Sequence, residues 1–340
     1  MPDLTREVWR DLGQQGALRD LFDTNGRPDL GRTRALLAQV DGRCPLGVTL
    51  SVCVQVSSVL PAVVPEKADA VRKAAEAALR GEVVIGLAAT DEGAPGSDLS
   101  SLTTSISFDG DAVEVTGGKR WIVNAVGADH FLVLGRHREG HHFTDFTTVL
   151  VPADAPGVRA RPAGTRLFDG SGVGHVEFDR VRVDRGHLVG RPGQGMRCFV
   201  RGMVGERVAG GAWAAALLRR VLNDVQRDLL TSRRGAVPLW ESEVVRHRFA
   251  RCVLVQRRLD ALWRNDSSAA HALVVKAAAA EAVDEVLGAC ASFGGADAFD
   301  EGGLHELRAA SSMWGVAGGT TDTMLASIAD HARELLEPLP

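Results

Sequence analysis

Three glycine-containing clusters and one glutamate carry the residue types that could do chemistry. The first cluster runs Ala89-Thr90-Asp91-Glu92-Gly93-Ala94-Pro95-Gly96-Ser97-Asp98, after the apolar run Val83–Leu87. Gly93 and Gly96 let backbone amides approach a ligand closely, and Ser97 can donate to a phosphate. The second is Gly117-Gly118-Lys119-Arg120-Trp121-Ile122-Val123-Asn124, and the third is Val316-Ala317-Gly318-Gly319-Thr320-Thr321-Asp322. The glutamate is Glu206, which precedes Arg207. A carboxylate serves as a general base when a desolvated pocket raises its proton affinity toward the working pH. Taken singly, each has a plain structural reading. These are a surface turn, a glycine pair leading into a strand with a core tryptophan, a helix start, and an exposed glutamate paired with arginine.

Periodicity places these clusters on helices and strands. Glu7 to about Arg80 is helical, with Ala35, Leu36, Leu37 and Val40 at helical spacing. Leu46–Val64 is a nearly continuous apolar run, predicted as a buried helix ending near Pro61, because proline cannot continue the hydrogen-bond ladder. Val83 to about Val189 switches to short strands. Asp111–Val115 alternates, His130–Gly135 and Thr147–Val151 are buried apolar runs, and Gly135–Thr144 reads as an exposed hairpin loop. Strands without intervening helices predict an antiparallel barrel or sandwich. From Gly195 onward the pattern is helical again. One long helix carries Leu218, Val221, Leu222, Val225 and Leu229, and a third helix is closed by Gly294-Gly295. The last carries Met324, Leu325, Ile328 and Leu335, with a Thr320/Thr321 cap.

Composition excludes several classes. Hydrophobic residues at 45% and charged residues at 24% of 340 disfavour disorder and collagen. A net charge of −4 argues against nucleic acid as a partner. No stretch is read as reaching the roughly 18 apolar residues of a membrane span, so no membrane is expected. With no tyrosine, a phenolic acid, base or radical from this chain is ruled out. No N-terminal signal pattern is seen. Cys44, Cys53, Cys198, Cys252 and Cys290 are widely spaced, which fits reduced thiols in a cytoplasm. The ten histidines show no metal-ligand spacing, so no metal is expected.

As an ordered set, the clusters resemble the acyl-CoA dehydrogenase family. The family's T-E-P-x-x-G-S-D turn is matched by Thr90–Asp98, and its G-x-K-x-W-I-T-N by Gly117–Asn124. Phe178-Asp179-Arg180-Val181-Arg182-Val183, Leu188-Val189-Gly190, Glu206-Arg207, Phe293-Gly294-Gly295 and Gly319-Thr320 complete the series, over roughly Val8 to Ala332. The resemblance implies an α+β fold in three parts. They are an N-terminal helical domain over 1–82, a central antiparallel β-barrel over 83–193 and a C-terminal four-helix bundle over 194–340. It implies FAD, with contacts from Thr90, Gly96, Ser97, Trp121, Ile122, Val123, Arg233, Gly294, Gly295, Thr320 and Asp322. It also implies α,β-dehydrogenation of an acyl thioester on CoA or a carrier protein, in a specialised or secondary-metabolic pathway. Electrons would leave to an electron-transfer flavoprotein or to oxygen, and the protein would be a homodimer or homotetramer.

The sequence departs from the family at informative places. Where the family commonly has Tyr-Glu-Gly-Thr, this chain has Ala317-Gly318-Gly319-Thr320, so the usual base is missing. Two branches, similar to isovaleryl- and long-chain acyl-CoA dehydrogenases, place the glutamate on the long helix just before the arginine, as Glu206 stands here. The family hydroxyl near flavin N5 is replaced by Val123. The R-x-x-F-G-x-P-I segment that reaches a partner's FAD reads Ser232–Leu239 without its phenylalanine, leaving Arg233 or Arg234 as the cation. The family's first helix is largely missing, and the chain begins near the second. A flavin monooxygenase of the same fold, or a non-catalytic relative with eroded FAD binding, are the alternatives.

Overall fold

The computed structural model describes residues 2–24, 26–93, 101–140, 142–234, 237–263 and 268–337. They form two compact units, 1–36 with 45–206, and 37–44 with 207–340.

The first unit opens with helices α1 (Pro2–Gln14), α2 (Leu30–Asp41, whose last turn joins the second unit) and α3 (Leu46–Val54). A π-helical turn, Gln55–Val59, links α3 directly to α4 (Leu60–Val63), and α5 spans Asp69–Leu79. The buried helix ends at Val63, two residues past Pro61 and near the expected stop, but the proline itself lies inside it. Proline lacks an N–H, and its ring would strike the carbonyl four residues back, that of Ser57. The wider π turn absorbs this conflict: the Leu60 N–H donates five residues back, to Gln55 O. The helix then continues to Val63.

By length and composition this helix, Leu46–Val63, is apolar enough to cross a membrane, with a mean hydropathy of 1.8, contrary to the sequence expectation. It is 83% buried inside the protein. Its polar side chains find partners there. Gln55 Nε2 donates to Ile85 O, and Ser51 Oγ donates to Asn124 Oδ1.

Eight strands follow: β1 (Ile85–Ala88), β2 (Ser105–Asp109), β3 (Ala112–Ile122), β4 (His130–Arg136), β5 (Phe146–Pro152), β6 (Val158–Pro162), β7 (Gly174–Asp184) and β8 (Leu188–Val189). They form one sheet in the order β6-β7-β3-β2-β4-β5-β8, with β1 also on β4. Most pairs are antiparallel, but β1 runs parallel to β4 and β2 meets β4 in parallel. The sheet is therefore mixed, where the sequence predicted an antiparallel one. More than forty residues separate β1 from β4, long enough for the chain to return in the same direction. Val113, Val115, Phe131, Val133, Val149 and Phe178 form its apolar core. The first turns of α6 (Gly195–Thr231), through Glu206, complete this unit.

The second unit takes α6 from Arg207, then α7 (Glu243–Leu262), α8 (Ala269–Gly294), α9 (Leu304–Ser311), α10 (Thr321–Asp330) and α11 (Ala332–Leu336). The final apolar pattern is split: α10 ends at Asp330, and Leu335 lies on α11. α9 has no counterpart in the sequence expectation. Gln256 of α7 donates to the Ala215 carbonyl of α6 at 3.1 Å, and buried Lys276 of α8 donates to Trp314 O. Asp41 accepts from Trp213 Nε1 and Arg220 Nε, both at 2.9 Å, which ties the last turn of α2 to α6.

Candidate active site

In the first unit the turn cluster and the tryptophan strand come together. Glu92 N donates to Gly118 O at 2.8 Å, and Arg120 N donates to Thr90 O at 2.9 Å. Beneath them Asp91 and Lys119 form an ion pair with no side-chain exposure. The Lys119 ammonium also donates to Ala89 O and Leu134 O, so its three protons are all used. Burial pulls Lys119 down to about 8, against the raising pull of Asp91, and it stays charged at neutral pH. Burial alone would push the Asp91 carboxyl up. The Lys119 charge and hydrogen bonds from Lys119 and Thr104 overcome that and hold it below the usual carboxylate range. The pair rivets Thr90 to the strand, a role that sequence reading did not assign to either residue. The lysine of G-x-K was its visible signal.

Taken singly Trp121 reads as a core residue, while the family resemblance makes it a flavin contact; the residue is 53% exposed. The register of β3 on β7 slips between Lys119 and Ile122, and Trp121 takes φ 56°. This left-handed bulge turns the indole off the sheet, while Ile122 stays buried and Val123 is half-buried. Asn124, also left-handed at φ 66°, is anchored by its bonds to Ser51 of α3. His175 packs edge-on to Trp121 at 5.6 Å, and its Nδ1 accepts the Trp121 N–H at 3.3 Å. Burial first, then the Arg161 and Arg120 charges, hold His175 below its ordinary value, which keeps the ring neutral as that bond requires. Gly96 and Ser97 lie outside the described residues.

Glu206 is half-buried on α6. Its Oε2 accepts a hydrogen bond from Ser58 Oγ of the π turn at 2.6 Å. Ser58 was not singled out in the sequence, where it is one of several serines in an apolar helix. It also lines a cavity of about 20 Å³ with Ala62, Leu87, Leu132 and Phe199. The buried Cys53 thiol, one turn back, is pushed up to about 12 by burial and then by the Glu206 charge, so it offers no thiolate at neutral pH.

In the second unit Arg207 Nε donates to Gly318 O at 3.2 Å, fixing the loop whose glutamate is missing. Gly318 and Gly319 hold φ 72° and 108°, left-handed values that favour glycine. Thr320 caps α10 by accepting from Thr323 N at 3.3 Å, as expected. Asp322 is exposed in its first turn, and Arg233, Gly294 and Gly295 are exposed.

Two family models match the chain: "Acyl-CoA dehydrogenase, middle domain" over residues 86–181 and "Acyl-CoA dehydrogenase, C-terminal domain" over residues 193–332. The chain belongs to the acyl-CoA dehydrogenase family.

Among curated relatives of this acyl-CoA dehydrogenase family member is "Acyl-[acyl-carrier-protein] dehydrogenase MbtN" of Mycobacterium sp. (strain MCS). It is 26% identical over 345 residues, covering 96% of this chain and 86% of the relative. Among solved structures, an FAD-dependent dehydrogenase superposes with a TM-score of 0.88 at 21% identity, over 96% of this chain and 92% of that one. A glutaryl-coenzyme A dehydrogenase in complex with glutaryl-CoA gives 0.87 at 16% identity, over 97% and 87%. These two likenesses show the fold.

Proposed function

We propose that this acyl-CoA dehydrogenase family member carries out flavin-dependent α,β-dehydrogenation of an acyl thioester, with Glu206 as the base. The single observation that carries the assignment of the base is the Ser58–Glu206 hydrogen bond. It holds a half-buried carboxylate in one orientation on α6, in a chain whose loop position, Gly318, has no side chain to take a proton. A solvated surface glutamate would not be gripped from a buried helix.

The described residues fit FAD. Trp121 exposes a large aromatic face beside half-buried Val123, at a bulge that costs backbone strain and brings no core burial. A planar aromatic ring is a suitable cover for such a side chain. Trp121, Ile122, Val123 and Thr90 would hold the flavin. Gly96, Ser97, Arg233, Gly294, Gly295, Thr320 and Asp322 are retained as further proposed contacts. Bound FAD supplies the acceptor for the substrate's β-hydride. The chain's own part is to orient the Glu206 carboxylate and receive the α-proton on it. Because Val123 has no hydroxyl, a backbone N–H would stand in for it, and that of Trp121 is already given to His175 Nδ1.

The name of the MbtN relative supports an acyl thioester on a carrier protein; CoA as the carrier and a specialised biosynthetic pathway remain part of the proposal. An electron-transfer flavoprotein or oxygen would accept the electrons, and the active form would be a homodimer or homotetramer. The central strands would close as a barrel and the C-terminal helices as a four-helix bundle.

The visible spectrum of the purified protein and α-proton exchange of an acyl-pantetheine in deuterated water test this reading together. A yellow protein with exchange that Glu206→Gln lowers by about 10² to 10⁴-fold is expected for a general base. Full exchange in Glu206→Gln removes the base. A colourless protein that cannot be reconstituted removes the flavin, and oxygen-dependent hydroxylation of the substrate identifies a monooxygenase instead.

A further inference from the structure

We propose that Ser58 is the positioning residue of Glu206 and switches its hydrogen bond as the carboxylate gains and loses a proton. The inference rests on Glu206 being the base. Ser58 Oγ lies 2.6 Å from Glu206 Oε2 and 3.4 Å from Gly202 O, and the residue is 3% exposed. Both acceptors belong to one helix, four residues apart, so they lie on one face a turn from each other. A serine hydroxyl has one proton to give and two lone pairs to receive with. While Glu206 is ionised, that proton points at the carboxylate. Once Glu206 is protonated, its own O–H donates to Ser58 Oγ, and the Ser58 proton rotates to the Gly202 carbonyl.

The chemistry balances without any reaction at serine. The substrate's α C–H bond breaks, the proton forms an O–H bond on Glu206, and the electron pair stays with the substrate. The Ser58 O–H bond never breaks; it only turns. In both states the buried hydroxyl has an acceptor, which avoids leaving a buried donor unmet. A donor aimed at the ionised form favours that form of the carboxylate.

Two features of the backbone fix the spacing. The π turn brings Ser57 and Ser58 to α6, and Gly205 lets α6 approach. A β-carbon at Gly205 would stand 2.8 Å from Ser57 O. The neighbouring hydroxyl is engaged elsewhere, since Ser57 Oγ donates to Cys53 O at 2.5 Å, within its own helix. Ser57 therefore serves as an internal control.

The proposal is tested by a carboxyl titration of the full chain labelled with ¹³C at glutamate Cδ. The Glu206 resonance is identified by its absence in Glu206→Gln. Ser58→Ala is expected to raise the Glu206 midpoint by about one unit, the size of one hydrogen bond to a charged group. Ser57→Ala is expected to leave it in place. An unmoved midpoint in Ser58→Ala overturns the proposal, and so does an equal shift in Ser57→Ala, which would mark general loosening. Retained α-proton exchange in Glu206→Gln would sink the base assignment instead, and the two failures are read from different measurements.

Discussion

The carbonyl oxygen of Ser57 faces Gly205 so closely that a β-carbon placed there would stand 2.8 Å from it. This approach connects a local irregularity to chemistry. Pro61 enforces the π turn, the π turn re-aims residues 57 and 58, and the missing side chain at 205 lets the glutamate's helix come within reach of Ser58.

Gly205→Ala should therefore act at two levels. Its methyl must displace a helix carbonyl, an overpacking cost of about 1–3 kcal/mol. The displacement should also break the Ser58–Glu206 bond and reduce α-proton exchange. Urea denaturation and exchange rates measured on one preparation check this. A variant as stable and as active as wild type would show that the close approach is dispensable.

The buried Asp91–Lys119 pair should be costly to break and far less costly to replace. Asp91→Asn leaves an ammonium in the core without its counter-charge, a loss of about 3–5 kcal/mol. The double variant Asp91→Asn with Lys119→Met removes both charges and should recover most of that. If the double variant is no more stable than Asp91→Asn, the pair is not the rivet proposed.

Acid should weaken the wild type through the same pair. The folded carboxyl of Asp91 sits below its unfolded value of about 3.9. Between the two, the unfolded chain binds more protons than the folded one, so stability rises with pH. The contribution is complete above about pH 5 and is lost as pH falls through the lower, folded value. Unfolding free energies across pH 2 to 6 should show this slope, and the double variant should show less of it.

Trp121 separates cofactor binding from folding. Its indole contributes little burial in the protein alone, so Trp121→Ala should leave the thermal midpoint of the flavin-free protein nearly unchanged. The flavin-to-protein ratio after gel filtration should fall. An unchanged ratio would remove Trp121 from the flavin contacts.

Much of the architecture was legible from the sequence. Periodicity located the long helix now seen as Gly195–Thr231, and the threonine before α10 announced its cap. Alternation along Asp111–Val115 marked β3, because a strand with one buried face must repeat every second residue. Other features were legible only in part. Pro61 announces a nearby helix end, which comes at Val63, but a sequence does not display the π turn that carries the helix past the proline. Trp121 taken singly reads as core, and only the family resemblance names it a flavin contact, since the register slip against β7 that turns it outward is not written in the strand pattern. The strand run reads as antiparallel, since pairing direction depends on where β1 and β4 meet and not on the pattern of either.

Which groups are present is a matter of residue identity. The sequence held the ordered motifs of the acyl-CoA dehydrogenase family, a vacated loop at Gly318, a glutamate before Arg207 and no tyrosine. No folding can add a carboxylate to Gly318. The tertiary structure alone decided that Glu206 is gripped by Ser58, that Asp91 and Lys119 neutralise each other, and that Trp121 is presented outward. Glu206 lies 148 residues from Ser58, and Lys119 lies 28 from Asp91. Hydrogen bonds and ion pairs act over about 3 Å, so such partners are set by packing and leave no spacing rule in the chain.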